Sequence, residues 1–331
     1  DKLQSEKNVE AARQRAQIKR NAERKAEIKR FFGFKNICIF ATGILVVSIM
    51  IGLIWGYQKY YNFGGVLTSD LKFKSWGSSF SSITVPKKAV SAEVFYAECK
   101  KLTIYEGVKD VTVEGCKQLE SLSIPAGVEC VTISNCIELK TLVLPEGIRT
   151  VSIIDCTELN RLDVLAGVEN LHISGGEELA ELTLPEGIKN ITIERCNDLK
   201  EIEVLNGAEA VTISRLEELE KLRLTEGIKT LVIEECNKIE TLSVPKTVET
   251  VTVDRNENMT GLIFPENIKN ITITNCDKIE KLSIPNGAEN ISITSTDMLS
   301  ELSLPEKVKT ITIDNCHAME SLSVLTGTEE A

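Results

Sequence analysis

Residues 121–140 read SLSIPAGVECVTISNCIELK, and residues 141–160 read TLVLPEGIRTVSIIDCTELN. The second stretch repeats the first column by column. From residue 101 to residue 330 the chain keeps this twenty-residue period without an insertion. A fixed period of this length marks a solenoid, in which each unit is one coil stacked on the last. Position one of each coil falls at residues 101, 121, 141 and onward. Position two is then Leu or Ile throughout, from Leu102 to Leu322, and position four is always apolar, from Ile104 to Val324. Positions eleven and thirteen are always Val, Ile or Leu, as in Val131 and Ile133, and a polar residue stands between them in every coil except at Val232. Period-two alternation with β-branched residues predicts a strand with one buried face. Each coil should hold two short strands whose apolar sides face each other. The expected fold is a β-solenoid of twenty-residue coils, with two parallel sheets around an aliphatic core. At about 4.8 Å between neighbouring strands, twelve coils give a rod about 55 Å long.

The turns agree with this cross-section. Seven of the eight prolines occupy position five: Pro125, Pro145, Pro185, Pro245, Pro265, Pro285 and Pro305. Gly fills position seven in nine of twelve coils. Pro-x-Gly directly after a strand is turn chemistry, because Pro presets φ and Gly accepts conformations other residues avoid. A proline at a corner also ends the ladder where its missing N–H does no harm.

The run Leu119-x-x-Leu122-x-Ile124-Pro125-x-x-Val128-x-x-Val131, followed by Cys136-x-x-Leu139, resembles the BspA-like leucine-rich repeat of bacterial surface proteins. The resemblance covers about 230 residues. It implies a surface protein for adhesion or ligand binding rather than catalysis. Repeats of that family are slightly longer and carry an Ala-Phe pair before the Cys. Here only two residues, such as Ser134 and Asn135, fill the gap. A true second strand is therefore expected in place of an irregular back, giving a straighter, more helix-like rod.

A forty-residue rhythm overlies the twenty-residue one. Position nine alternates in sign along the whole repeat: Lys109, Glu129, Arg149, Glu169, Lys189, Glu209, Lys229, Glu249, Lys269, Glu289, Lys309 and Glu329. Position six follows it, with Glu106, Glu146, Glu186, Glu226, Glu266 and Glu306 in alternate coils. In a parallel stack each position-nine charge would lie between two of opposite sign. A slip of one coil would set Lys against Lys, so the ladder helps to fix register.

The N-terminal part differs in character. Net charge is −11 overall, yet residues 1–36 carry eleven Lys/Arg against five Asp/Glu. This stretch lacks Pro and is rich in Ala, Glu, Lys and Arg, so a basic cytoplasmic helix is expected over 1–36. Residues 37–57 form an uncharged run of 21, the length an α-helix needs to cross a bilayer. Phe31, Phe32 and Phe34 precede it, and Trp55, Tyr57, Tyr60 and Tyr61 stand at its far end, as in interfacial aromatic belts. The expectation is a single-pass anchor with a cytoplasmic N-terminus and an extracellular solenoid, bound to the lipid bilayer through 37–57. Ser48, Gly52 and Gly56 are spaced as at close-packed helix pairs. Residues 58–100 read as a linker and solenoid cap, and 101–331 as the leucine-rich-repeat solenoid.

Residues able to carry chemistry are spread by the repeat. Cysteine recurs at position sixteen in Cys116, Cys136, Cys156, Cys196, Cys236, Cys276 and Cys316. Alternate coils lie about 9.6 Å apart, beyond disulfide reach, and no C-x-x-C or His joins the column. Reduced thiols packed as small hydrophobes are expected. The two histidines, His172 and His317, read as surface residues. No nucleophile elbow, phosphate loop, zinc spacing or calcium loop is present, so no catalytic residue, metal site, cofactor or nucleic-acid partner is assigned. Positions one and three vary most, and coils four to seven place Arg161, Asp163, Glu181, Glu201, Glu203, Lys221 and Arg223 there. This band is the expected contact surface for a protein partner, with cross-strand ion pairing as its plainer reading. The expected function is a non-catalytic recognition or adhesion protein of the bacterial cell surface. The alternative is a scaffold or spacer subunit that packs against sister chains in a membrane assembly.

Overall fold

A computed structural model describes residues 65–325. The expected helices over 1–36 and 37–57 lie outside the described residues. The chain divides into two units, Asp1–Ile54 and Trp55–Ala331, and only the second is described below. Among the described residues every regular element is a strand, so no helix is long and apolar enough to cross a membrane.

The strand Cys130–Ser134 shows how the sequence builds a coil. Val131 and Ile133 point inward and are buried, while Cys130, Thr132 and Ser134 point outward. The coil 141–160 sends in Leu142, Leu144, Ile148, Val151, Ile153, Cys156 and Leu159, none more than 1% exposed. Each fully buried aliphatic side chain contributes about 1.5–3 kcal/mol. The core is therefore one continuous aliphatic column rather than a set of separate clusters.

Stacking is in register. Thr150, Val151, Ser152, Ile153 and Ile154 pair with the residues twenty positions before and after them. Repeated along the chain, this joins thirteen parallel strands, Lys72–Trp76 to Thr310–Asp314, with the short antiparallel strand Val66–Leu67 capping the first. The sheet therefore starts before the exact period does. Strands Lys72–Trp76 and Ser91–Phe95 already belong to it, and the coil joining Ser82 to Lys101 is one residue short.

The opposite face departs from the expected second sheet. Its strands are only three to five residues long and form five separate ladders. These are Ser82–Ser123, Thr141–Thr183, Glu201–Leu224, Thr241–Ile263 and Lys281–Leu325, named by their outer ends. Three of the four breaks follow a coil with proline at position five, Pro125, Pro185 or Pro265. The short strand offers few rungs, and proline removes a donor where another could have formed. Leu122, Leu182 and Leu222, each in the last coil before a break, are only partly buried.

One corner was not foreseen. Position fifteen takes a left-handed backbone in coil after coil, with φ between 52° and 56° at Asn135, Asp155, Arg195, Arg215, Glu235, Arg255, Asn275, Ser295 and Asn315. This conformation costs an ordinary residue about 1–2 kcal/mol. It is held by the ladder, because the N–H at position fifteen donates to the carbonyl at position fourteen of the next coil, as Asn135 does to Ile154. The bend turns the chain sharply enough for position sixteen to re-enter the core.

The charge ladder resolves into discrete pairs. Lys109 bridges Glu129 at 2.8 Å, Lys189 bridges Glu169 at 2.9 Å, Lys229 bridges Glu209 at 3.5 Å, Lys269 bridges Glu249 at 2.6 Å and Lys309 bridges Glu289 at 2.7 Å. Glu129 reaches back to the preceding coil, whereas the later glutamates reach forward. Arg149 stands at this change of phase. The Glu129 and Glu169 carboxyls are lowered first by hydrogen bonds from Lys109 and Lys189, with Arg149 adding to both; Glu249 is lowered by Lys269. A carboxyl lowered in the folded state stabilises the fold above its unfolded value and loses that effect as pH falls through its folded value. The ladder's contribution should thus be full at pH 7, begin to fall below about 4.5 and be lost once pH passes the lowered folded values. Replacing both Glu209 and Glu249 by Lys should lower the melting temperature by a few degrees at pH 7 and low salt. The deficit should shrink in high salt and at pH 3. Equal melting curves at low salt would show that the ladder does not stabilise the stack.

Candidate functional site

The charged band expected as a contact surface sits on the interrupted face and straddles one of its breaks. Arg161, Asp163 and Glu181 belong to one ladder, and Glu201, Glu203, Lys221 and Arg223 to the next. Within the first, Arg161 Nε donates to Asp163 at 3.1 Å and Nη1 lies 3.3 Å from Glu181. Within the second, Lys221 bridges Glu201, and Glu203 and Arg223 are cross-strand partners. The Glu201 carboxyl is lowered by its hydrogen bond to Lys221, with Arg223 adding to the effect. The band is thus two groups that largely pair internally, and exposed pairs of this kind contribute little to stability.

A denser cluster lies at the left-handed corner, which the columns did not mark as charged. Arg255 contacts Glu234, Glu235 and Asp254, and Arg215 Nε donates to Glu235 at 2.9 Å. Nearby, Arg195 spans two coils to Asp155 at 3.3 Å and donates to Ser174 Oγ at 2.8 Å. Gly175 makes that reach possible, since a Cβ there would stand 2.3 Å from Asp155 Oδ1. The single signal in the sequence was the glycine at position fifteen between Asp155 and Arg195.

The cysteine column has a definite job. Position sixteen is buried, and its thiol donates weakly to the carbonyl two residues earlier: Cys136 to Ser134 at 3.6 Å, Cys236 to Glu234 at 3.4 Å, Cys276 to Thr274 at 3.4 Å. Where cysteine is absent the contact can persist. Thr296 Oγ1 lies 3.5 Å from the Thr294 carbonyl. Asn256 is fully buried. It donates to the Asp254 and Ile233 carbonyls at 3.0 Å each and accepts from the Cys236 N–H at 2.9 Å. The column is therefore a set of small, weakly polar plugs for the corner. Cys99 adds a member from position nineteen of the short coil. Its contact with Cys116, then burial, raises its thiol; contacts with Cys116 and Cys156, then burial, raise Cys136. Burial, the largest cause, pushes Cys196 up to about 12 and Cys236 and Cys276 to about 11, with neighbouring carboxylates adding to it. These are unreactive thiols at neutral pH. All nine described cysteines are unbridged, and Cys130 is the exposed one.

His317 Nδ1 lies 2.9 Å from Asp297 on the preceding coil, and His172 sits on the outer face of the long sheet. Among the described residues no group of three or more His, Cys, Asp and Glu side chains is arranged to hold a metal ion. Trp76 and Tyr96, which lie before the exact period, are exposed on the outer side of the first two coils.

With this geometry in place, the comparisons with known proteins identify the fold. The chain shares 15% identity with a leucine-rich repeat protein from Bacteroides ovatus, over 75% of this chain and 81% of that one, at a TM-score of 0.51. A leucine-rich cell surface protein from Faecalibacterium prausnitzii aligns at 13% identity over 80% of this chain and 93% of that one, with a TM-score of 0.24. No family model and no curated protein matches the chain. The fold is that of a leucine-rich-repeat solenoid.

Two outcomes check the column. A maleimide added to the native protein at pH 7 should label Cys130 quickly, the half-exposed Cys316 next, and the other position-sixteen thiols only on unfolding. The fast label should disappear in Cys130→Ser. Replacing Asn256 by Leu should lower the urea midpoint by the equivalent of about 1–3 kcal/mol, because buried backbone groups lose their partner.

Proposed function

We propose that this chain is a membrane-anchored, BspA-like surface protein whose solenoid serves recognition or adhesion and carries out no catalysis. One observation supports the reading most directly. Thirteen coils present a single unbroken sheet face over a core held by packing alone. A rigid, repetitive face of this kind offers partners an extended platform. The apolar run 37–57 and the basic segment before it support a single-pass anchor with the solenoid outside the cell. The fold shared with a leucine-rich repeat protein from Bacteroides ovatus is consistent with that setting.

A second reading, a scaffold subunit packed against sister chains, is favoured by the internal pairing of the charged band and by exposed apolar residues on the same face. Val143 is 59% exposed and Ile263 67%. One measurement tests the topology and another separates the two readings. A membrane-impermeant maleimide should label Cys130 on intact cells and lose that label in Cys130→Ser; labelling only after lysis would overturn the outside assignment. Sizing in detergent should give a monomer for the recognition protein, and a discrete oligomer for the scaffold.

A further inference from the structure

The first three strands of the long sheet carry an outer surface unlike that of the coils that follow. In register, Lys72, Ser91 and Asp110 form one row across the three strands, Lys74, Glu93 and Thr112 the next, and Trp76, Phe95 and Glu114 the third. At one end of these strands the surface sinks into a hollow of about 390 Å³, lined by Lys72, Ser91, Glu93, Lys109, Asp110 and Thr112 among others. That volume is at the small end of ligand pockets, which run from about 300 to 1,000 Å³. At the other end is a cluster of tilted aromatic rings, with 61° between the planes of Trp76 and Tyr96 and 43° between those of Trp76 and Phe95. Trp76 is 66% exposed and Tyr96 49%. Their ring centroids lie 5.4 Å apart, and Phe95 lies 5.1 Å from Trp76. Tyr96 is held on the surface by the left-handed corner, by its hydroxyl donating to Glu114 at 2.9 Å, and by Gly115 beneath it. A Cβ at Gly115 would stand 2.4 Å from the Tyr96 ring.

Beneath the lining, Ser91 Oγ is the one buried side-chain oxygen or nitrogen among the described residues without a hydrogen-bond partner, and it is closed to solvent, so a ligand reaches it only as a neighbouring side chain swings aside. Native proteins rarely bury such a group without a use for it. The charges of the lining cancel. Lys72 and Lys109 face Glu93 and Asp110, and both lysines are already bridged, to Asp70 at 3.3 Å and to Glu129 at 2.8 Å. An anion entering here meets two carboxylates, and a cation meets two ammonium groups. A neutral, hydroxyl-rich ligand finds donors in the lysines, acceptors in the carboxylates, and both in Ser91 and Thr112. From Lys72 to Trp76 is about 13 Å along the strand, a span of a few sugar rings. Exposed Trp and Tyr offer those rings an apolar face with little ordering cost.

We propose that this surface binds a neutral glycan, one sugar seated in the Ser91 hollow and others lying on Trp76 and Tyr96. The proposal does not depend on which way the rest of the rod is used. The full chain, in a detergent without a sugar headgroup, would be run through native gels containing soluble neutral polysaccharides: β-glucan, xylan, galactomannan and α-mannan. Heparin and polygalacturonate serve as anionic comparators. At least one neutral polymer should retard the protein. Trp76→Ala and Ser91→Ala should each weaken that retardation about tenfold or more, while Lys281→Ala, at a residue outside both the band and the hollow, leaves it unchanged. Ser91→Ala removes a hydroxyl that bonds to nothing in the fold, so its melting temperature should equal or exceed that of the natural protein. This separates lost binding from lost folding. No retardation by any neutral polymer, retardation by the anionic ones only, or neutral binding that survives either variant would overturn the proposal.

Discussion

Along the long face, each strand residue sits on its counterpart one coil away, hydrogen-bonded in parallel at a fixed short spacing. That condition governs the rest of the molecule. It turns each position of the repeat into a column, and a column tolerates only what can stack on itself. Aliphatic side chains can, and they form the core. Asn and Thr can, through ladders such as Asn190 to Asn170 and Asn290 to Asn270. A column of one charge cannot, which accounts for the alternation at position nine and for the pairing of Lys with Glu along the rod. The two-coil unit follows from electrostatics imposed on a one-coil backbone.

The same condition explains the odd composition of position sixteen. The chain must bend at position fifteen and return to the core at once. The residue that returns needs to be small, to fill space, and to satisfy a carbonyl left at the corner. Cysteine meets all three demands in a reducing setting. Asn256 meets the last two by different means, reaching the carbonyl of the neighbouring strand as well as its own corner's. A column that looks like redox chemistry in the sequence is, in the fold, a solution to a packing and hydrogen-bonding problem.

Much of this was legible in the sequence. The coil length, the buried columns, the corner prolines and the sign alternation all come from contacts at a constant separation of twenty, which a column reading captures. What it missed depends on departures from that separation. The coil from Ser82 to Lys101 is one residue short, so the columns slip out of phase and Trp76, Ser91 and Tyr96 drop out of view. The left-handed corner was hidden because Arg195, Arg215, Glu235 and Arg255 occupy it against their local preference, with the ladder overriding it. The breaks in the second face reflect strands too short to keep pairing; proline at position five accompanies three of them but also stands at Pro145, Pro245, Pro285 and Pro305, where pairing continues, so it does not announce a break by itself. The charged band was visible as residues, but its division by a break between Glu181 and Glu201 was not.

Those breaks give the rod a mechanical character of its own. One face is a continuous strap, hydrogen-bonded from end to end. The other is five short plates separated by seams, with Leu122, Leu182 and Leu222 partly open to water beside three of them. In stacked repeats the stability is close to a sum over units and their nearest-neighbour interfaces, and here those interfaces are unequal. A bending load that stretches the plated side meets its least resistance at the seams, while the strap resists the same stretch everywhere. The protein is thus built to yield in one direction, at intervals written into its sequence.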